Sequence, residues 1–200
     1  MSEGQDLQQG AGQGAGQGLH RKKRPLVVRG QLICVAARLS VEKGLHALTL
    51  DAVAREAGVS KGGLLHHFPT KQALLEALHD ELLNRFETHF NALVAADPEP
   101  HGRFTRAYLH ANLAEAEDDG VACWNSLVVL MLGEKWARPR WDAWVEARLA
   151  ALPPEERTAE LEIVRLAADG LFFCDLACPT VSLKPDRAKV LQALDEMTRK

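Results

Sequence analysis

Hydrophobic positions fall three and four residues apart along most of the chain, the spacing that gathers one face of an α-helix. Leu32, Ile33, Val35, Ala36 and Leu39 form such a stripe from about 27 to 43, and Gly44 stops it. Thr49 is placed to cap a short helix that buries Leu50, Val53, Ala54 and Ala57. Asp51 falls in its first turn, where the helix dipole favours an acid. Gly58 closes that helix, and Ser60 caps the next, which runs through Phe68. After Pro69 and Thr70, a long helix repeats Leu74, Leu78, Leu82, Phe86 and Phe90 at four-residue steps to about Ala96. Further helices are predicted at about 102–117, 121–136, 139–151, 154–178 and 185–199, separated by Asp, Gly and Pro breakers. No segment alternates with period two for long enough to argue for a sheet, so the expected fold class is all-α.

The second and third of these helices carry the most specific signal. A helix from Thr49, a turn at Gly58-Val59 and a helix from Ser60 make a helix-turn-helix over residues 49–68. Two short helices that cross steeply need a glycine in the turn and small or apolar residues where they touch. Ala54, Ala57, Val59 and Leu64 supply them. The polar N-terminal side of the second helix is then free to enter a DNA major groove, which is just wide enough for a helix.

Composition sharpens this picture. The 200 residues are 46% hydrophobic, enough for a sizeable core, and the net charge of -3 marks no global nucleic-acid binder. The distribution of charge does. Residues 1–75 hold 10 Lys/Arg against 5 Asp/Glu, while the rest hold 14 against 22, so a front of +5 precedes a back of -8. Residues 1–19 contain six Gly and five Gln and read as a flexible tail. It ends in the basic cluster His20-Arg21-Lys22-Lys23-Arg24 ahead of Pro25, which reads equally as a solvated patch or as an arm for phosphates or a minor groove. No apolar run is long enough for a membrane span and no secretory signal is visible, so the chain is expected in the cytoplasm, without a membrane partner. The four cysteines form no CxxC pair and are expected as reduced, core-packing thiols; no metal or cofactor site is expected. Nor does any nucleophile stand beside a base, so an enzyme is not expected.

The run Gly44-Leu45-His46-Ala47-Leu48-Thr49-Leu50-Asp51-Ala52-Val53-Ala54-Arg55-Glu56-Ala57-Gly58-Val59-Ser60-Lys61-Gly62-Gly63-Leu64-Leu65-His66-His67-Phe68-Pro69-Thr70-Lys71 resembles the signature of the tetracycline-repressor (TetR/AcrR-type) family of bacterial transcriptional regulators. With the preceding helix, the resemblance covers about residues 27–78. It implies a double-stranded DNA operator as partner. It assigns Lys61, Gly62 and Gly63, after the cap Ser60, to base edges. His66, His67 and Lys71 go to phosphates, with Thr49 at the start of the preceding helix. Lys61 has the chemistry to donate to guanine O6 and N7. The chain departs from the family in three places. Gly63 replaces a usual Thr, Leu65 replaces a phosphate-bonding Tyr and is left to pack or to touch a thymine methyl, and Ser40 replaces a buried aromatic.

The expected organisation is a tail and arm over 1–24, a DNA-binding domain over 25–70 and a helical effector-binding and dimerisation domain over 71–200. Four Trp lie between 124 and 144, a cluster that suits core packing more often than a ligand cage. The resemblance implies a pocket there for a small hydrophobic or amphipathic effector, with Phe86, Trp124, Asn125, Met131, Trp141, Trp144 and Phe172 as its candidate lining. The last two helices carry a broad apolar face with Leu161, Val164, Ala168, Leu171, Leu191 and Leu194, expected as the interface of a homodimer. The dimer also suits recognition, because two recognition helices related by a twofold axis read a palindrome about one helical turn apart, ~34–36 Å.

Overall fold

A computed structural model describes residues 16–112, 121–177 and 186–199, with side chains for 25–112, 125–174 and 186–199. Among the described residues the chain is all-helical. The elements are α1 (Gly16–Lys43), α2 (Leu50–Glu56), α3 (Lys61–His67), α4 (Lys71–Ala96), α5 (Arg103–Asn112), α6 (Val121–Leu132), α7 (Arg138–Ala150), a 3₁₀ turn (Pro154–Glu156), α8 (Ala159–Ala177) and α9 (Arg187–Met197).

The helix starts obey the capping chemistry read from the sequence. Thr49, Ser60 and Thr70 each accept, through the side-chain oxygen, the backbone N–H three residues on, at 3.2, 3.1 and 3.0 Å. Gly44 and Gly58 take φ of 83° and 67°, the left-handed conformation that ends α1 and α2 without a Cβ penalty. One boundary differs from expectation. Residues 16–24, expected within a tail and arm, continue α1, and Pro25 lies inside the helix. Arg and Lys are good helix formers, and α1 tolerates the one backbone donor that proline lacks. The tail before residue 16 and the Trp124 side chain lie outside the described residues.

Two apolar cores share α4 between them. The first packs Leu32, Ile33, Ala36 and Leu39 of α1 against Val53, Ala54, Leu64, Phe68 and the N-terminal half of α4. The second gathers Phe86 and Phe90 of α4 with Tyr108 and Leu109 of α5, Trp144 of α7, Val164 and Ala168 of α8, and Leu194 of α9. The C-terminal end of α6 belongs to the first core, through Leu127, Met131 and, just beyond it, Trp136. Arg106 closes the far end of the second core. Only 2% exposed, it donates to the Asp97 carboxylate at 2.7 Å, the His101 and Glu99 carbonyls and both oxygens of Thr198. Gly102 makes that knot possible, since a Cβ there would stand 2.2 Å from the Thr198 carbonyl oxygen.

Candidate DNA-binding face and effector-domain core

The head is built so that α3 turns one side in and the other out. Leu64 and Phe68 are almost fully buried, whereas Ser60, Lys61, Gly62, Gly63, Leu65 and His66 are exposed and His67 is half-buried. Gln31 of α1 donates to the Ala57 carbonyl at 3.1 Å, and Val59 N–H to the Ala54 carbonyl at 3.0 Å, which fasten the turn ahead of α3. Arg29 lies 5.3 Å above the Phe68 ring and so covers the other end of the same helix.

Both lysines of this face have an internal partner. Lys61 Nζ lies 3.0 Å from the Asp51 carboxylate, with both side chains about two-thirds exposed, so the pair is weak in water and easily exchanged for another anion. Sequence reasoning explained Asp51 by the helix dipole alone and missed this contact, which needs α2 and α3 folded together. Lys71 Nζ donates to the His46 carbonyl at 2.9 Å, which leaves two of its three donors. Gly62 has nothing within 4 Å of where a Cβ would stand, and Gly63 only the Ser60 hydroxyl at 3.2 Å. Nothing inside the protein demands the glycine at 62, whereas a Cβ at 63 would crowd the capping hydroxyl.

The aromatic residues behind the head form one contiguous array. Phe86 meets Trp141 and Trp144 edge-on at 5.2 Å, and the two tryptophans stack at 5.4 Å. Phe90 contacts Trp144 at 5.6 Å and Phe104 at 5.2 Å. Phe172 packs against the same core. Met131 does not belong to this group. It is 3% exposed in the first core, because it shares the inner face of α6 with Leu127 and that face is turned toward α1. Asn125 is half-buried on the same helix. An open cleft of about 340 Å³ is lined by Leu132, Gly133, Lys135, Arg138, Pro139 and Asp142, with none of these rings in its lining. Sequence reasoning also missed a polar pair beside the array. The Tyr108 hydroxyl donates to Asp169 at 2.7 Å, and burial pushes both groups above their ordinary pKa. The available signal was an acid within the apolar run of α8.

The interface expectation requires a correction for four of its six residues. Leu161, Val164, Ala168 and Leu194 are buried within the single chain, and Leu171 and Leu191 pack half-buried against the second core. α8 has apolar residues on both faces, and the inner one carries Leu161, Val164, Ala168 and Leu171. Its outer face leaves Ile163, Leu166 and Phe173 at 53%, 63% and 42% exposure. The cysteine expectation also fails where it is tested, since Cys34 and Cys174 are exposed free thiols; Cys123 and Cys178 lie outside the described side chains.

These features agree with comparisons to known proteins. Residues 32–78 match the model of bacterial regulatory proteins of the tetR family, and residues 102–199 match that of the tetracyclin repressor-like C-terminal domain. The HTH-type transcriptional repressor KstR2 of Mycobacterium tuberculosis is 41% identical over 58 residues, 29% of this chain and 27% of that one. The HTH-type transcriptional activator FasR of Mycolicibacterium smegmatis is 44% identical over 50 residues, 25% of this chain and 23% of that one. The chain thus spans about a quarter of the length of these curated relatives. The multidrug binding protein EbrR, in complex with malachite green, superposes with a TM-score of 0.63 at 25% identity, covering 85% of this chain and 97% of that one. An exposed helix-turn-helix, a helical domain behind it and two family models across most of the sequence lead to one conclusion: the chain belongs to the tetR family of bacterial transcriptional regulators.

Proposed function

We propose that the chain acts in the cytoplasm as a homodimeric repressor, not an enzyme, that binds a palindromic operator and is released by a small hydrophobic or amphipathic effector. The observation that carries this reading is the first turn of α3, polar, capped by Ser60 and exposed on a head whose inner side is fully packed. In this reading Lys61, Gly62 and Gly63 meet base edges, and Leu65 reaches a thymine methyl. Thr49, His66, His67 and Lys71 hold phosphates and fix the register. The front charge of +5 draws the head to DNA, while the back, at -8, is repelled.

The outward stripe of Ile163, Leu166 and Phe173 supports the dimer, since two copies of the α8–α9 pair close a four-helix bundle about a twofold axis. Phe86, Trp141, Trp144 and Phe172 remain the effector lining. EbrR, of similar fold, is a multidrug binding protein. KstR2 carries a repressor's name, which favours repression, although FasR is an activator. α4 enters both cores and is the natural lever: an effector with unequal affinity for two separations of the heads shifts the operator equilibrium.

Selection of bound fragments from genomic DNA, followed by footprinting, tests the proposal. The expected outcome is a twofold-symmetric protected site whose affinity falls steeply with salt. Lys61→Ala then weakens binding and relaxes base preference, and Lys71→Ala weakens all sequences alike. Equal loss on operator and random DNA for both variants, or protection without symmetry, overturns it.

A further inference from the structure

Beside the second core lies a half-buried carboxylate, Asp169, with no cation partner among the described residues. Asp169 accepts the Tyr108 hydroxyl at 2.7 Å, and no described Lys, Arg or His forms an ion pair with it. Three described cations on the surrounding helices are engaged elsewhere. Arg165, one turn before it on α8, donates to Thr105 Oγ1 at 2.9 Å. His110, two residues after Tyr108, faces Asp195 at 3.2 Å. Arg148, which lies 5.3 Å over the Trp144 ring, pairs with Glu87. Removing a carboxylate from water without a partner is costly, and such groups stand out as sites that a ligand completes.

The surroundings define the ligand. The Tyr108 ring lies 6.1 Å from that of Phe86, which in turn touches both Trp141 and Trp144, so Tyr108 links the carboxylate to the aromatic array. Phe86, Trp141 and Phe172 are only partly buried. Aromatic faces carry negative potential and attract cations, most strongly when water is excluded. Acid and rings therefore favour the same ligand charge, and both disfavour an anion. One buried donor in this core, Trp144 Nε1, has no hydrogen-bond partner. Burial holds the Tyr108 phenol protonated, so it remains a donor that orients the Asp169 carboxylate.

We propose that the effector of this protein is a lipophilic cation, its charge recognised by Asp169 and its apolar body by Phe86, Trp141 and Trp144. This rests on the effector-released reading above and narrows it to one chemical class. Asp169 binds the charge, and Tyr108 positions the carboxylate.

Matched triarylmethanes test it: crystal violet as the cation, its leuco form as the neutral counterpart, and a sulfonated dye as the anion. Each is titrated into the full chain at neutral pH and followed by tryptophan fluorescence and dye absorbance. Crystal violet is expected to bind at least roughly tenfold tighter than the leuco form, the scale of one charged contact, with the anion weakest. Asp169→Asn keeps an acceptor for Tyr108. It is expected to abolish that preference, to leave leuco affinity unchanged and to melt no lower than the wild type in the absence of dye. A role in folding alone would instead lower the melting temperature and leave the preference intact. Equal binding of cation and neutral form, or preference for the anion, overturns the assignment, and the wild-type chain alone reads this if the variant does not fold. Operator release by neutral or anionic compounds only defeats the cation assignment and leaves the effector reading standing. Operator binding that no compound of any charge affects defeats both.

Discussion

A glycine in a helix costs stability, so one that no neighbour requires points outward for its reason. Gly62 has ordinary helical backbone and open space where a Cβ would stand, and it sits in the first turn of α3 at the exposed tip of the head. Gly→Ala there is expected to stabilise the free protein by up to about 1 kcal/mol. It is also expected to weaken operator binding, because the methyl group holds the helix away from the bases. Chemical denaturation and a DNA-binding titration on one preparation read the two effects, and their opposite signs are the diagnostic feature. A variant that binds DNA as well as the wild type would remove the close-approach role. The glycine pair was visible in the sequence, but the freedom of Gly62 from internal contacts was not, since that depends on what packs around α3. Asp51 and Lys61 show the same limit: each has a local explanation, and only the crossing of α2 over α3 makes them partners.

Among elements, α4 and the α6–α7 turn meet at a buried, titratable contact. His79 of α4 is 8% exposed, meets Trp136 at 5.8 Å and leaves its Nδ1 without a partner. Burial lowers its pKa first, the Arg140 guanidinium lowers it further, and Asp80, which pairs with Arg140, opposes them weakly. The sign follows from proton uptake. The unfolded imidazole takes its proton near its ordinary 6.5 and the folded one resists, so stability is fully present above that value and declines as pH falls through the folded pKa. His79→Phe keeps the ring and removes the titration. Its melting temperature is expected to lose part of the wild-type decline below pH 6.5, and at pH 7.5 its stability should stay within about 1 kcal/mol of the wild type. An unchanged acid profile would assign the decline to other groups. The helix itself was legible, since its leucines recur at four-residue steps. That His79 faces inward against Trp136 was not, because the two residues lie on different elements.

At the scale of the whole molecule, the outward stripe of α8 is the surface that most needs a partner. Leu166 is 63% exposed beside Ile163 and Phe173, and contiguous apolar surface on a folded chain marks an interaction site. Leu166→Glu is expected to leave helix content unchanged, to halve the mass seen by light scattering and to cut operator affinity by roughly 10²-fold or more, because each half-site then binds alone. A dimer that survives this substitution places the interface elsewhere. The order of helices, their caps and breakers, the helix-turn-helix and the charge asymmetry are all set by residues within a few positions of one another. Local spacing and backbone chemistry suffice to specify them, which is why the sequence alone carried that much. The tertiary structure decided which face of α8 is buried, which core receives Met131, that Tyr108 meets Asp169, and that Arg106 ties α5 to Thr198. Each of these joins residues distant along the chain, and periodicity reports that a helix has an apolar face without reporting what that face meets.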